Sequence, residues 1–212
     1  MADAKVSGRK ITEHYHEAKR WVNMSEYSAE INWQSTRLPG IVTETDFLRE
    51  YAWVVLNSGF REMIVRKKFD YISLCYCDWD SAEEIVSNAS VCVRAAAHAL
   101  NHRQKLEAIV KAAAIVSRTG FSSFWNVVME APQDRLQTLP FIGPVTARHL
   151  AKNLGFSCVK PDRHLVRLAT EYGFVDVDAM CEAIQVESGD DLSVLDIVLW
   201  RYEEQRSLHR YR

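Results

Sequence analysis

The residues of this chain best suited to chemistry sit in one short stretch, Lys160-Pro161-Asp162-Arg163-His164. A helix is predicted to begin after Pro161 and to run through RHLVRLATEY to Gly173, which puts Asp162 just before or within its first turn. An acid there can cap the helix, accepting from backbone N–H groups and balancing the positive end of the macrodipole. A carboxylate so fixed could also stabilise positive charge developing on a bound group, or orient or deprotonate an attacking water. Taken by itself, the residue leaves both uses open.

A second stretch, LPFIGPVTARHLAKNLG over 139–155, predicts two short helices meeting at a tight turn. Pro140 closes the first, because the residue before a proline is pushed out of helical geometry. Pro144 is favourably placed at the start of the second. N–H groups at such a start lack internal partners and can grip a phosphate oxygen. Gly143 would let the phosphate approach the backbone, where a side chain would hold it away. A purely structural helical hairpin has the same pattern.

The elements that must position these stretches read as helices almost throughout. Thr43 or Thr45 can cap a helix through FLREYAWVVLN, and Gly59 can end it or allow a sharp turn into FREMIVRKKF. Further helices are predicted over HRQKLEAIVKAAAIVSR, SSFWNVVMEA, DRLQTL, DVDAMCEAI and LSVLDIVLWRYEEQR. Only GIVTE and CVK look strand-like, and Tyr27 to Gly40 reads as a long connection. The fold class is therefore all-α.

Composition sets the outer bounds. The 212 residues are 48% hydrophobic and 25% charged, ordinary for a soluble globular chain. Apolar runs are broken well before bilayer-spanning length, and no secretory signal is evident, so a cytosolic location is expected, or nucleoid or nucleus. Five scattered cysteines without paired spacing suggest reduced thiols rather than a disulfide framework or an iron–sulfur site. A net charge of −2 gives no overall case for nucleic acid. Arg148, Lys152, Lys160, Arg163 and Arg167 crowd together nonetheless, as phosphate contacts or a solvated helix face.

With both stretches in view, the sequence resembles the endonuclease III-like superfamily of helix-hairpin-helix DNA glycosylases over much of 46–167. That family's hairpin, L-P-G-[IV]-G-x-x-T-A, is matched by Leu139-Pro140-Phe141-Ile142-Gly143-Pro144-Val145-Thr146-Ala147. Its V-D-T-H-[VI]-x-R-[VL] is matched by Pro161-Asp162-Arg163-His164-Leu165-Val166-Arg167-Leu168, and its N-x-K-A-x-x-[IL] is echoed from Asn101 through Lys105 to Ile109. The chain departs from the family in two places. Phe141 replaces the first hairpin glycine, and Val145 stands where bifunctional members carry a lysine nucleophile.

The resemblance implies two helical lobes with the hairpin at the cleft between them, one over 41–156 and the other from 1–40 plus 157–212. It implies a monofunctional glycosylase, acting as a monomer without metal or organic cofactor on double-stranded DNA carrying a damaged or modified base. Alkylated purines are mildly preferred, because a cationic leaving group needs little acid catalysis and stacks well on aromatic rings. Asp162 is the implied catalytic acid. Gly143, Val145, Thr146 and Arg148 are implied DNA contacts, as are Asn57 and Ser58 where a wedge belongs, though each of the last two could simply end a helix. Trp53 and Trp33 are preferred among six tryptophans for a base pocket, although a tryptophan commonly just fills core volume. The alternatives are a glycosylase/lyase using an unusual lysine, Lys160 being one near Asp162, a silent DNA-binding module, and a scaffold with no nucleic-acid role.

Overall fold

Helix follows helix along the chain, and no strand occurs among the described residues. The computed structural model describes the backbone of residues 2–210 and the side chains of residues 7–207. In order, the helices are α1 (Ala2–Asn23), α2 (Ser28–Thr36), α3 (Glu44–Asn57), α4 (Glu62–Cys75), α5 (Ala82–Ser87), α6 (Ala89–Ala97), α7 (Arg103–Thr119), α8 (Phe121–Glu130), α9 (Pro132–Leu136), α10 (Pro144–Asn153), α11 (Arg163–Glu171), α12 (Val177–Ser188) and α13 (Leu192–Arg210). They group into two compact units, one of Leu38–Leu154 and one of Met1–Arg37 with Gly155–Arg212.

In the first unit, α3 is the central element and packs against α7 and α10. Thr43 starts it with a reciprocal cap: its hydroxyl accepts from the Asp46 N–H, while the Asp46 carboxylate accepts from the Thr43 N–H. Phe47, Leu48, Tyr51, Ala52, Val54, Val55 and Leu56 are all buried, so this helix is apolar around most of its circumference. Each large side chain removed from water there contributes about 1.5–3 kcal/mol. A polar pin joins α3 to α10, Asn153 Nδ2 donating to Glu50 Oε2 at 2.9 Å between two buried side chains.

In the second unit, α1, α11 and α12 lay apolar faces against α13, around Ile11, Tyr15, Leu165, Leu168, Met180, Leu195 and Leu199. The stretch expected to be a plain connection, Tyr27 to Gly40, contains α2 instead. That helix has no apolar periodicity; Ile31 packs against the core, and an ion pair adds a tie to α13. The buried Arg201 of α13 donates to both Glu30 carboxylate oxygens, at 2.7 and 2.8 Å. Neither strand-like stretch forms a strand among the described residues: GIVTE holds part of a 3-10 turn, Pro39–Ile41, and the start of α3, while CVK is coil.

Candidate nucleic-acid interface and acid

Two tight turns shape the candidate surface of the first unit. The turn after α3 runs Asn57-Ser58-Gly59-Phe60, closed by the Phe60 N–H donating to Asn57 O at 3.3 Å. Ser58 has φ −64 and ψ 108 and Gly59 has φ +81, the signature of a type II turn, which demands positive φ in third place. Nothing lies within 4 Å of a Cβ built on Gly59, so backbone conformation, not crowding, calls for glycine. Lys105 props the turn from within. Its side chain is buried, and Nζ donates to the carbonyls of Val55, Leu56 and Ser58, the orphan end of α3. Burial pushes this amine down to about 8. The Asn57 side chain folds back, Nδ2 donating to Trp53 O at 2.9 Å.

The hairpin turn, Leu139-Pro140-Phe141-Ile142, is closed by the Ile142 N–H donating to Leu139 O at 3.2 Å. Pro140 occupies second place and Phe141, with φ +60, third. A left-handed conformation at a residue bearing a Cβ costs about 1–2 kcal/mol. Tyr51 holds the turn in it: its hydroxyl donates to Pro140 O at 2.7 Å, at the peptide leading into Phe141. Burial raises that phenol far above its ordinary value, so it stays a donor. Phe141 is 45% exposed, and its ring meets the His102 ring in a T-shaped contact at a centroid separation of 6.2 Å. His102 in turn meets Phe60 at 5.9 Å. An aromatic strip, Phe60–His102–Phe141, thus joins the two turns.

Gly143 caps α10 in extended geometry, and its N–H donates to Thr146 Oγ1 at 2.7 Å. The Thr146 hydroxyl donates back to Gly143 O at 3.0 Å, and Pro144 has no N–H to offer. Among the described residues the N–H groups of Val145 and Thr146 have no acceptor, leaving the start of α10 open to an anion. Val145 is exposed and Arg148 half-buried. Lys152 does not join a basic face, for it is buried within the last turn of α10. Trp53 packs edge-on against Phe69 at 5.0 Å, with the Arg66 guanidinium 5.6 Å from its ring.

In the second unit, Asp162 is the N-cap of α11. Its Oδ1 accepts from the His164 N–H at 2.9 Å and the Leu165 N–H at 3.1 Å. Its Oδ2 accepts no hydrogen bond among the described residues, and no arginine or lysine there forms an ion pair with it. The approach to Asp162 is fixed from behind, the Lys160 N–H donating to Asp196 Oδ1 at 2.6 Å and the Asp162 N–H to Lys160 O at 2.8 Å. Trp33, also in this unit, is 36% exposed with the Arg37 guanidinium 4.9 Å from its ring.

Behind α11 lies a buried polar cluster. Glu203, on α13, is 2% exposed; Arg167 and Arg206 donate to it at 3.1 and 2.9 Å, and His14 Nε2 lies 3.2 Å away. Burial alone would raise its carboxyl, but His14 and the two guanidinium groups outweigh that and hold it at about 2. Arg163 Nε donates to His164 Nε2 at 3.3 Å, so the neutral ring carries its proton on Nδ1, which lies 3.5 Å from Ser207 Oγ. Burial lowers this imidazole from its ordinary value despite the nearby Asp162. Arg167, expected on a basic face, is instead engaged by Glu203.

Sequence reasoning singled out Asn57, Ser58 and the hairpin but not the residues that hold them. Lys105 had left a trace in the Asn101–Ile109 echo. Tyr51, Phe60 and His102 had left none, because their roles come from partners distant in sequence. Among the described residues no group of three or more His, Cys, Asp or Glu could hold a metal ion, and the five cysteines form no disulfide. No helix among them is long and apolar enough to cross a membrane.

No family model matches the chain, and no curated protein sequence matches it. Among solved structures, its fold is similar to that of Methanocaldococcus jannaschii 8-oxoguanine glycosylase/lyase, crystallised with a 15mer DNA containing 8-oxoguanine. The TM-score is 0.55 at 17% sequence identity, over 87% of this chain and 94% of that one. At this identity the likeness speaks for the fold alone, an all-α arrangement of many helices.

Proposed function

We propose that this chain is a DNA glycosylase that breaks the N-glycosidic bond of a damaged base in duplex DNA. The observation that carries the reading is the open start of α10 behind its tight turn, with N–H groups of Val145 and Thr146 free to take a backbone phosphate whatever the base sequence. The fold likeness to a glycosylase bound to DNA supports the same conclusion.

In this reading Asp162 does the chemistry. Breaking the bond builds positive charge on the deoxyribose, and a fixed carboxylate stabilises that charge electrostatically. The cap geometry suits the task, since Oδ1 is anchored by two N–H groups while Oδ2 remains to face a cation or a water. The target base must leave the stack, at a cost of a few kcal/mol. Asn57 and Ser58, on a turn stiffened by Lys105, are the proposed wedge, and Trp53 and Trp33 remain proposed pocket residues. Gly143, Thr146 and Arg148 belong with Val145 on the phosphate-binding side.

Two modes of action follow from different observations. Val145, at the position where the resembling family's bifunctional members carry lysine, points to simple hydrolysis that leaves an abasic site. The likeness to a glycosylase/lyase favours the second mode, strand cleavage through a Schiff base on an amine from another position, and weighs more heavily. It also makes 8-oxoguanine the first substrate to try, ahead of the alkylated purines. Incubation with duplexes carrying single lesions, with released base read by mass and borohydride added in parallel, tests both. Base release with a covalent DNA adduct marks a lyase, and release without one marks a hydrolase. No release from any lesion would leave only DNA binding.

A further inference from the structure

We infer that Phe141 is a DNA-contacting residue that stacks on an exposed nucleobase beside the lesion, an inference that rests on the glycosylase reading above. Phe141 occupies third place in a proline-led turn with φ +60, where glycine is at ease and an aromatic residue is strained. Packing does little to repay the strain, because Phe141 is 45% exposed and, among the described residues, its ring contact is a T-shaped one with His102. Tyr51 nevertheless fixes the peptide leading into it through the bond to Pro140 O. A strained, braced and solvent-facing aromatic is an arrangement that folding does not require.

Its surroundings say what it would meet. The free N–H groups of Val145 and Thr146 begin four residues further on, and a phosphate seated there brings its own nucleotide close to the turn. The π-face of phenylalanine is electronegative and offers nothing to the phosphate itself. It offers a great deal to a nucleobase, whose face stacks on aromatic rings whatever its identity. The strip continues through His102, whose Nδ1 accepts from the Lys105 N–H, to Phe60 on the wedge turn. A base displaced from the stack near that turn would find an aromatic surface already in place.

The test measures affinity for a short duplex bearing a tetrahydrofuran abasic analogue, which needs no catalysis, across a salt series. Phe141→Gly is expected to melt at or above the wild-type temperature, since the turn conformation suits glycine, yet to bind about ten-fold more weakly. The slope of affinity against salt should not change, because stacking releases no counterions. Phe141→Trp should keep wild-type affinity, and Phe141→Leu should lose it; should the glycine variant fail to fold, the leucine variant carries the test. Wild-type affinity in either the glycine or the leucine variant overturns the inference, as does a loss accompanied by a salt slope shallower by about one phosphate contact. Failure of the wild-type protein to bind any duplex would instead remove the glycosylase reading underneath.

Discussion

The helix that begins at Pro144 and the helix that begins at Arg163 face the same difficulty, orphan N–H groups at the positive end of a dipole, and meet it differently. At the start of α11, Asp162 spends one carboxylate oxygen on two N–H groups, and the end is neutralised from within. At the start of α10, Gly143 brings no side chain and Thr146 caps only the Gly143 N–H, so the N–H groups of Val145 and Thr146 stay open. One start is suited to an anion from outside. The other presents an anion of its own. The anchoring differs as well: α10 rests on apolar packing and the Glu50–Asn153 pin, α11 on the ionic cluster around Glu203.

The sharpest way to break this contrast is Asp162→Asn. Asparagine caps about as well as aspartate, so thermal stability should move by no more than a few tenths of a kcal/mol. Base release should fall roughly 10²–10³-fold in single-turnover assays. A fall in activity that tracks a fall in stability would make Asp162 a cap and nothing more.

Acid should separate the two anchorings. The Glu203 carboxyl is held below its ordinary value of 4.5, at about 2. The unfolded chain therefore binds more protons across this window, and the stability from Glu203, present above 4.5, is lost as pH falls toward 2. The amount is on the order of 3 kcal/mol. Hydrogen exchange should show α11 and α13 opening on acidification before α3 and α10. His164, whose imidazole is lowered by burial, adds a loss in the same sense as pH drops below about 6.5. Glu203→Gln should flatten the acid limb, because glutamine does not titrate.

Converting one start into the other gives a smaller, cleaner effect. In Gly143→Asp the new side chain has room, the nearest atom being Thr146 Oγ1 at 4.0 Å from a Cβ, and φ is an unstrained −98. Stability should hold or rise by a few tenths of a kcal/mol as the helix gains a cap. Duplex affinity should drop about ten-fold as the acid occupies the phosphate position. An unchanged affinity would disconnect the start of α10 from DNA. The mildest change is Tyr51→Phe, which removes the donor to Pro140 O and should cost about 1 kcal/mol in denaturant melts, with faster exchange at the Phe141 and Ile142 amides.

What the sequence made legible follows from this division. Both helix starts are local devices, a proline after a glycine and an acid after a proline, and local devices are written in adjacent residues. The start of α3 could be narrowed to Thr43 or Thr45, that of α11 to the neighbourhood of Asp162, and the ends near Gly120 and Gly155 could be read for that reason. α2, α5 and α6 are not announced by a proline at their start, as the comparably short α9 and α10 are, and α2 is tied to Arg201 from the far end of the chain. The left-handed run Cys77-Asp78-Trp79, with φ of 56, 50 and 66, carries no glycine to announce it. The same is true of Phe141. Its departure from the family pattern was plain, but the strain, the Tyr51 brace and the aromatic strip exist only in three dimensions. Of the five basic residues that crowd together in sequence, Lys152 is buried and Arg167 is engaged by Glu203, neither of which adjacent residues announce.

The central claim, that the open start grips DNA while the capped start acts on it, is tested most directly by one paired measurement. Wild-type and Asp162→Asn proteins are mixed in excess with a duplex carrying a single 8-oxoguanine, and free base is quantified beside bound DNA. Equal binding, with base released by the wild-type protein alone, is the predicted result. Base release at the wild-type rate from Asp162→Asn would contradict the account.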